Sequence, residues 1–201
     1  RNIVYFSSGG RIYGDSDYKV SEESNLHPQC SYGTTKLEIE NHIKCFCKLY
    51  DLSYIILRPS NPYGPGQNYR GKQGLIPISM WNILKNGKFE VWGTGEEVRD
   101  YIYIDDFCEA VNLILSKGYW NETYNIGSGI GYTTNDILKQ INDVVGVHFQ
   151  LSYKLDEKPP VQTNILDVSK IENLGFKSKT DLRTGLRFTY DYIYKIYSQN
   201  V

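Results

Sequence analysis

The sequence predicts an α/β fold built on a largely parallel sheet, and three observations carry that prediction. Short apolar runs at Asn2 to Phe6, Leu52 to Leu57 and Thr123 to Ile126 alternate with longer segments of helical periodicity. The runs lack the apolar/polar alternation of a half-solvated strand, as expected for strands covered on both faces. The first two end in loops rich in Ser, Gly and Pro, the punctuation expected between strand and helix.

Asn2 to Phe6 reads as a central parallel strand that delivers Ser7-Ser8-Gly9-Gly10 at its C-terminal edge, where open α/β sheets place ligands. After the polar stretch Asp15 to Gln29, the segment Thr34 to Leu49 carries apolar Leu37, Ile39, Ile43, Phe46 and Leu49 and reads as an amphipathic helix. Leu52 to Leu57 is a second buried strand, running into the turn-rich segment Arg58 to Gln67. Ile76 to Asn86 reads as a helix, Phe89 to Trp92 as a short strand and Val98 to Ile104 as an alternating strand. Asp105 to Lys117 returns to helix, Thr123 to Ile126 to strand, and Thr134 to Val144 to helix behind a threonine N-cap. Val168 to Leu174 and Leu182 to Tyr197 close the chain as helices. The strand–helix alternation is interrupted by a less regular region from about Gly64 to Asp105.

Composition narrows the function. The 201 residues, 40% hydrophobic and 22% charged, suffice for a packed core. A formal net charge of −1, with Lys and Arg scattered among acids, leaves no electrostatic footprint for nucleic acid. Cys30, Cys45, Cys47 and Cys108 match neither a zinc spacing nor a dense disulfide framework and read as reduced thiols, so no metal is expected. No apolar run of about 18 residues and no leader-like N-terminus is present, which points to a cytoplasmic protein without a membrane segment. The chain opens directly in a strand, without methionine, as if it began inside a larger fold.

Tyr32 and Lys36 lie four residues apart, on one face of a helix, so the ammonium can sit beside the phenol or share a ligand with it. A cation fixed about 4 Å away, at an effective dielectric of about 20, favours a phenolate by ~4 kcal/mol. Such a tyrosine is a usable proton acceptor near neutral pH. Chance alone supplies this spacing in a chain with 18 tyrosines. Position sets the pair apart, because it follows the serine loop and precedes the strand that ends in the Arg58 to Gln67 turn.

Taken together, Phe6-Ser7-Ser8-Gly9-Gly10-Arg11-Ile12-Tyr13-Gly14, Tyr32-Gly33-Thr34-Thr35-Lys36 and Leu57-Arg58-Pro59-Ser60-Asn61-Pro62-Tyr63-Gly64-Pro65-Gly66-Gln67 resemble the extended short-chain dehydrogenase/reductases. With Trp92-Gly93-Thr94-Gly95, Val98-Arg99-Asp100-Tyr101, Tyr124-Asn125-Ile126-Gly127-Ser128-Gly129, Asp167-Val168-Ser169-Lys170 and Leu174-Gly175-Phe176, they are most similar to the NAD-dependent sugar-nucleotide epimerase/dehydratase family, and within it to the UDP-glucose 4-epimerases. Each motif is modest, but their order and spacing across the whole chain are specific. The resemblance implies an incomplete Rossmann-like, doubly wound parallel sheet plus a small α/β substrate-binding region. Residues 1–63, with a return at about 105–128, would then belong to the NAD side, and 64–104 with 129–201 to the nucleotide-sugar side.

By the same resemblance Tyr32 is the acid/base for a sugar hydroxyl, and Lys36 binds the nicotinamide ribose while favouring the phenolate. Ser8, with Ser7 next to it, is the nearest loop hydroxyl, and Ser7 and Pro59 face the cofactor. Asn61, Leu75, Glu90, Trp92, Arg99 and Lys158 are the expected nucleotide-sugar contacts, with Arg99 on the diphosphate. An Asx-turn for Asn61 and an ion pair to Asp100 or a neighbouring acid for Arg99 are the purely structural alternatives. The implied reaction is C4 inversion of a UDP-hexose through a transient 4-keto sugar, with NAD as cofactor, in a homodimer joined through the helix of Tyr32.

The pattern departs from the family in three places. Gly9 stands where a Ser or Thr is usual, and Glu157 stands where a second diphosphate arginine is usual, with Lys158 adjacent. Gly9-Gly10-Arg11 replaces the Thr-Asp-Glu of the dehydratases, which removes the acids that water elimination needs. Gly127-Ser128-Gly129-Ile130-Gly131 lacks the Gly-x-Gly-x-x-Gly spacing and is not read as a phosphate turn. That turn is expected upstream of Arg1, so the polypeptide alone is expected to bind NAD poorly and to be inactive. A decarboxylase or reductase on the same scaffold, or a non-catalytic sugar-nucleotide binder, remains open.

Overall fold

The computed structural model describes residues 1–71, 73–146, 149–156 and 161–199. Its elements run β1 (Asn2–Phe6), α1 (Gly9–Ile12), α2 (Ser31–Tyr50), β2 (Ser53–Pro59), β3 (Asn61–Tyr63), α3 (Leu75–Asn86), β4 (Lys88–Trp92), β5 (Val98–Tyr103) and α4 (Ile104–Lys117). They continue as β6 (Glu122–Ile126), β7 (Gly131–Thr133), α5 (Thr134–Val145), β8 (Gln150–Lys154), β9 (Thr163–Asn164), α6 (Ser169–Glu172) and α7 (Leu182–Ser198).

The first sheet is parallel throughout, in the order β1-β2-β6, with Phe6 opposite Leu57 and Leu57 opposite Tyr124. Its middle strand carries Ile55, Ile56 and Leu57, all fully buried, as the apolar run required. In this chain β1 is the outer strand of the sheet; among the described residues it pairs with β2 on one side, and Val4 and Phe6 are 36% and 46% exposed.

A second sheet is organised around β5, which pairs with β3 in parallel, with β7 in antiparallel fashion and with β9 in parallel. β4 and β8 form a separate parallel ribbon. The short β3, β7 and β9 have no sequence signal of their own, because two or three residues show no periodicity and their partners are remote in the chain.

The helices follow from their caps and apolar faces. α5 begins with a reciprocal capping box between Thr133 and Asp136, and Gly146 closes it in the left-handed conformation. α4 carries Asp105 and Asp106 in its first turn and Lys117 in its last, matching the helix dipole. α2 starts three residues earlier than its periodicity suggested, which places Tyr32 inside its first turn.

Two apolar cores result. One joins Ile55, Leu57, Ala110, Ile114, Tyr124 and Ile126 around the first sheet, and the segment Leu166 to Phe176, assigned by sequence to the other region, packs its apolar side chains there. The other joins Tyr63, Met80, Ile137, Leu138, Leu186 and Ile193 where α3, α5 and α7 meet β5. The chain thus returns from the second core to cover the first.

Candidate active site

The site lies at the C-terminal edge of the first sheet, where β1 and β2 release their loops side by side. Ser7 N–H donates to Leu57 C=O at 2.8 Å and Ser60 N–H to Ile126 C=O at 2.8 Å, so both loops leave the sheet in register. Lys36 Nζ donates to the Phe6 carbonyl at 2.8 Å and sits 5.0 Å from the Tyr5 ring centroid and 5.6 Å from that of Tyr32. This ties α2 to the end of β1 and leaves ammonium protons for a ligand. Tyr32 is 52% exposed, so its phenol faces the open side.

Two side chains in the interior hold this geometry. Glu40, one turn beyond Lys36 on the same helix face, accepts from Arg58 Nε at 3.1 Å and Nη2 at 2.7 Å, a bidentate pair with both partners at or below 2% exposure. Arg58 Nη1 also donates to Tyr13 OH at 2.9 Å and to Glu22 C=O at 3.2 Å, and Tyr13 OH donates to Asn125 Oδ1 at 2.7 Å. Burial is the largest influence and lowers the Arg58 pKa, but its hydrogen bonds to Glu40, with the charge of Glu40 and its contacts with Tyr13, together outweigh burial and leave the pKa raised. Burial pushes the Tyr13 phenol up to about 12. The network clamps α2, and with it Tyr32 and Lys36, onto β2 just before Pro59. The i, i+4, i+8 spacing of Tyr32, Lys36 and Glu40 was the available signal for it.

The loop hydroxyls divide in two. Ser7 is buried and its Oγ has no partner among the described residues. Ser8 begins α1 at its N-cap without a side-chain cap bond, which leaves its hydroxyl free for a ligand. Gly9 is glycine for a packing reason: a Cβ there would lie 2.9 Å from both the Arg58 carbonyl oxygen and Leu166 Cδ1. A Ser or Thr does not fit this backbone without a shift. Thr34 Oγ1 is engaged by the Cys30 carbonyl at 3.2 Å.

Across the mouth, Asn61 Nδ2 donates to the Asp100 carbonyl at 2.8 Å, linking β3 to β5 instead of forming an Asx-turn. Gly10 faces that amide, with 3.8 Å between its missing Cβ position and Asn61 Nδ2. Arg99 is 9% exposed and donates to the carbonyls of Val98 at 2.8 Å, Gln162 at 3.0 Å and Val161. No ion pair to Asp100 exists, because that carboxylate accepts from Ser128 N–H and Oγ at 2.9 Å each and from Gly129 N–H at 3.0 Å. The amides of the Gly127 to Gly131 loop thus already hold an anion, the protein's own. Burial raises the Asp100 pKa, partly offset by those hydrogen bonds.

Leu75 opens α3, and Glu90 and Trp92 lie exposed on β4 opposite Ser152 and Lys154. No hydrogen bond or ring contact joins these three to Tyr32, Asn61 or Arg99 among the described residues. Lys158 and Glu157 lie outside the described residues. A cavity of about 580 Å³ opens elsewhere, between Tyr69, Arg70, Trp81, Asn82 and Lys85, and none of the predicted site residues lines it. Asn164 had no sequence signal; it is fully buried and donates to the Gly9 carbonyl at 3.3 Å.

A parallel α/β sheet with a Tyr–Lys pair at its carboxyl edge, together with a second sheet that carries a buried arginine, is the arrangement of the extended short-chain dehydrogenase/reductases. The chain belongs to the NAD dependent epimerase/dehydratase family, whose model matches residues 1–127. It is 36% identical over 186 residues to a putative UDP-glucose 4-epimerase of Methanocaldococcus jannaschii, covering 92% of this chain and 60% of that protein. It is also 36% identical over 191 residues to a dTDP-4-dehydro-6-deoxyglucose reductase of Escherichia coli, covering 92% of this chain and 58% of that one. Among solved structures, the Thermotoga maritima UDP-glucose 4-epimerase with UDP-glucose superposes with a TM-score of 0.92 at 35% identity, over 98% of this chain and 64% of that one. The chain therefore spans about three-fifths of the length of these relatives.

Proposed function

We propose that the complete protein inverts C4 of a UDP-hexose through a transient 4-keto sugar, with Tyr32 moving the proton and NAD carrying the hydride. The observation that carries this reading is the placement of Tyr32 and Lys36 at the end of β1, with Lys36 fixed on the Phe6 carbonyl and the phenol on the open side. NAD, when bound, takes a hydride from the sugar carbon and returns it. The residues present fit its nicotinamide-ribose half: Ser7 Oγ is buried without a partner, and Lys36 keeps ammonium protons to spare.

Tyr32, as the phenolate, accepts the proton of the C4 hydroxyl as that carbon gives up its hydride, and Lys36 stabilises the phenolate before the proton is taken and again once it has been returned. The 4-keto sugar turns over, the hydride returns to its other face, and Tyr32 hands the proton back to the oxygen. Ser8 orients the reacting hydroxyl in place of a residue at Gly9. Arg99 and Asn61 hold the nucleotide diphosphate end, with Leu75, Glu90, Trp92 and Lys158 completing the cradle. Residues 1–63 and 105–128 form the cofactor side in this reading, and 64–104 with 129–201 the substrate side. Exposed Ile39, Phe46 and Leu49 on α2 support a homodimer through that helix.

A reductase reading has one specific support, the 36% identity to the Escherichia coli reductase. Elimination of water is disfavoured, because Gly10 and Arg11 supply no carboxyl group beside Tyr32. Incubating full-length protein with UDP- and dTDP-sugars separates the alternatives. C4 inversion without net cofactor turnover supports the epimerase, whereas stoichiometric consumption of reduced cofactor on a keto sugar overturns it.

A further inference from the structure

We infer that Arg11 is a second diphosphate-binding cation, paired across the mouth of the site with Arg99; this rests on the nucleotide-sugar reading above. Arg11 lies in the last turn of α1, half-buried, its N–H donating to the Ser8 carbonyl at 3.2 Å and its side chain making no hydrogen bond or ion pair among the described residues. Its carbonyl oxygen lies 2.5 Å from where a Cβ on Gly33 would be, next to Tyr32. Its neighbour Gly10 faces the Asn61 side chain, and Gly9 is bound by Asn164, which pairs in register with Arg99 on β5. The stitch from Gly9 through Asn164 joins α1 to β9, the strand paired beside Arg99 on β5.

Neither guanidinium makes an ion pair among the described residues, although the charges of Glu97 and Asp15 act on Arg99 from farther off. Arg99 is oriented by three backbone carbonyls, which align a guanidinium but do not neutralise it. The acids nearest Arg99 have other donors: Asp15 Oδ1 accepts from Thr163 N–H at 3.0 Å, and Glu97 Oε1 from Thr134 Oγ1 at 2.5 Å. Burial first, and the Arg11 charge second, lower the pKa of Arg99. Two like charges that act on each other, one of them buried, carry a cost that a ligand of opposite charge between them would relieve. A diphosphate presents oxygens on two phosphorus atoms and suits two planar guanidinium groups.

The pairing also gives a reason for two departures from the family pattern. Arg11 stands where the dehydratase branch carries an acid, which would repel a diphosphate, and position 157, where the resemblance calls for a second arginine, holds Glu157.

Calorimetric titration of full-length protein with UDP, dTDP and uridine tests this. Arg11→Gln is expected to weaken UDP and dTDP about tenfold or more, to leave uridine binding unchanged, and to raise KM for the UDP-sugar with kcat nearly unchanged. Arg11→Lys should recover part of the loss. Equal UDP affinity in wild type and Arg11→Gln would overturn the inference while leaving the nucleotide-sugar reading in place, as would a loss for uridine equal to that for UDP. Failure of the wild type to bind either nucleotide would overturn both.

Discussion

Arg58 and Arg99 are both buried guanidinium groups, 2% and 9% exposed, and their surroundings are opposite. Arg58 meets a bidentate carboxylate, a phenol and a carbonyl, all from this chain, and its pKa is raised. Arg99 meets only carbonyls, with a second arginine nearby, and its pKa is lowered. Both charges were taken out of water, at a cost that only an opposite charge offsets well. At Arg58 the fold supplies that charge in direct contact, so the residue belongs to the scaffold; at Arg99 no carboxylate contacts the guanidinium among the described residues, and the proposed function assigns it to the diphosphate.

That contrast can be broken experimentally, and the largest effect is expected at the scaffold arginine. Glu40→Ala leaves Arg58 buried without its carboxylate and should cost about 3–5 kcal/mol of unfolding free energy, read from denaturant midpoints. A loss below ~1 kcal/mol would mean that water reaches Arg58. Tyr32→Phe should lower turnover of the full-length enzyme at least ~100-fold, the lower end for lost acid/base catalysis, with the unfolding midpoint unchanged; near-normal turnover removes the tyrosine from the mechanism. Arg99→Gln should weaken UDP by ~1.5–3 kcal/mol, the range for hydrogen bonds to a charged group, while destabilising the fold less than Glu40→Ala does. The reverse ranking would place Arg99 in the scaffold.

The smallest expected effect concerns pH. Burial holds the Glu22 carboxyl above its ordinary value, with its hydrogen bond from the Asn125 N–H pulling the other way. A raised folded-state value means that the native protein keeps a proton that the unfolded chain has released. Its contribution to stability is full below the ordinary glutamate range and fades as pH rises through the folded value. Glu22→Gln should flatten that part of the stability–pH profile, and an unchanged profile would assign the slope to other groups.

Legibility followed sequence distance. Strands β2 and β6, and helices α3, α4, α5 and α7, were readable because each carries its own periodicity and caps. Tyr32 and Lys36 were readable because their relation is one helical turn. Part of α2 misled: Leu37 and Ile43 turn inward as expected, but Ile39, Phe46 and Leu49 stay exposed, since the buried stripe is completed by Gly33, Glu40 and Cys47. A polar residue with a buried partner looks like surface in one dimension. The same limit hid Asn164 and Arg11, whose roles depend on β9 crossing beside Arg99 and on α1 folding against it.

The sequence by itself determined the α/β class, the order of strands and helices and the Tyr–Lys pair, all of which rest on local propensity and spacings of a few residues. The tertiary structure alone decided which charges are paired. Glu40 and Arg58, 18 residues apart in sequence, close on each other at 2.7 Å. Arg99, next to an acid in sequence, is turned away from it because the Ser128 and Gly129 donors reach Asp100 first. Pairing of buried charge is set by which backbones meet, and strand order settles that only when the sheet closes.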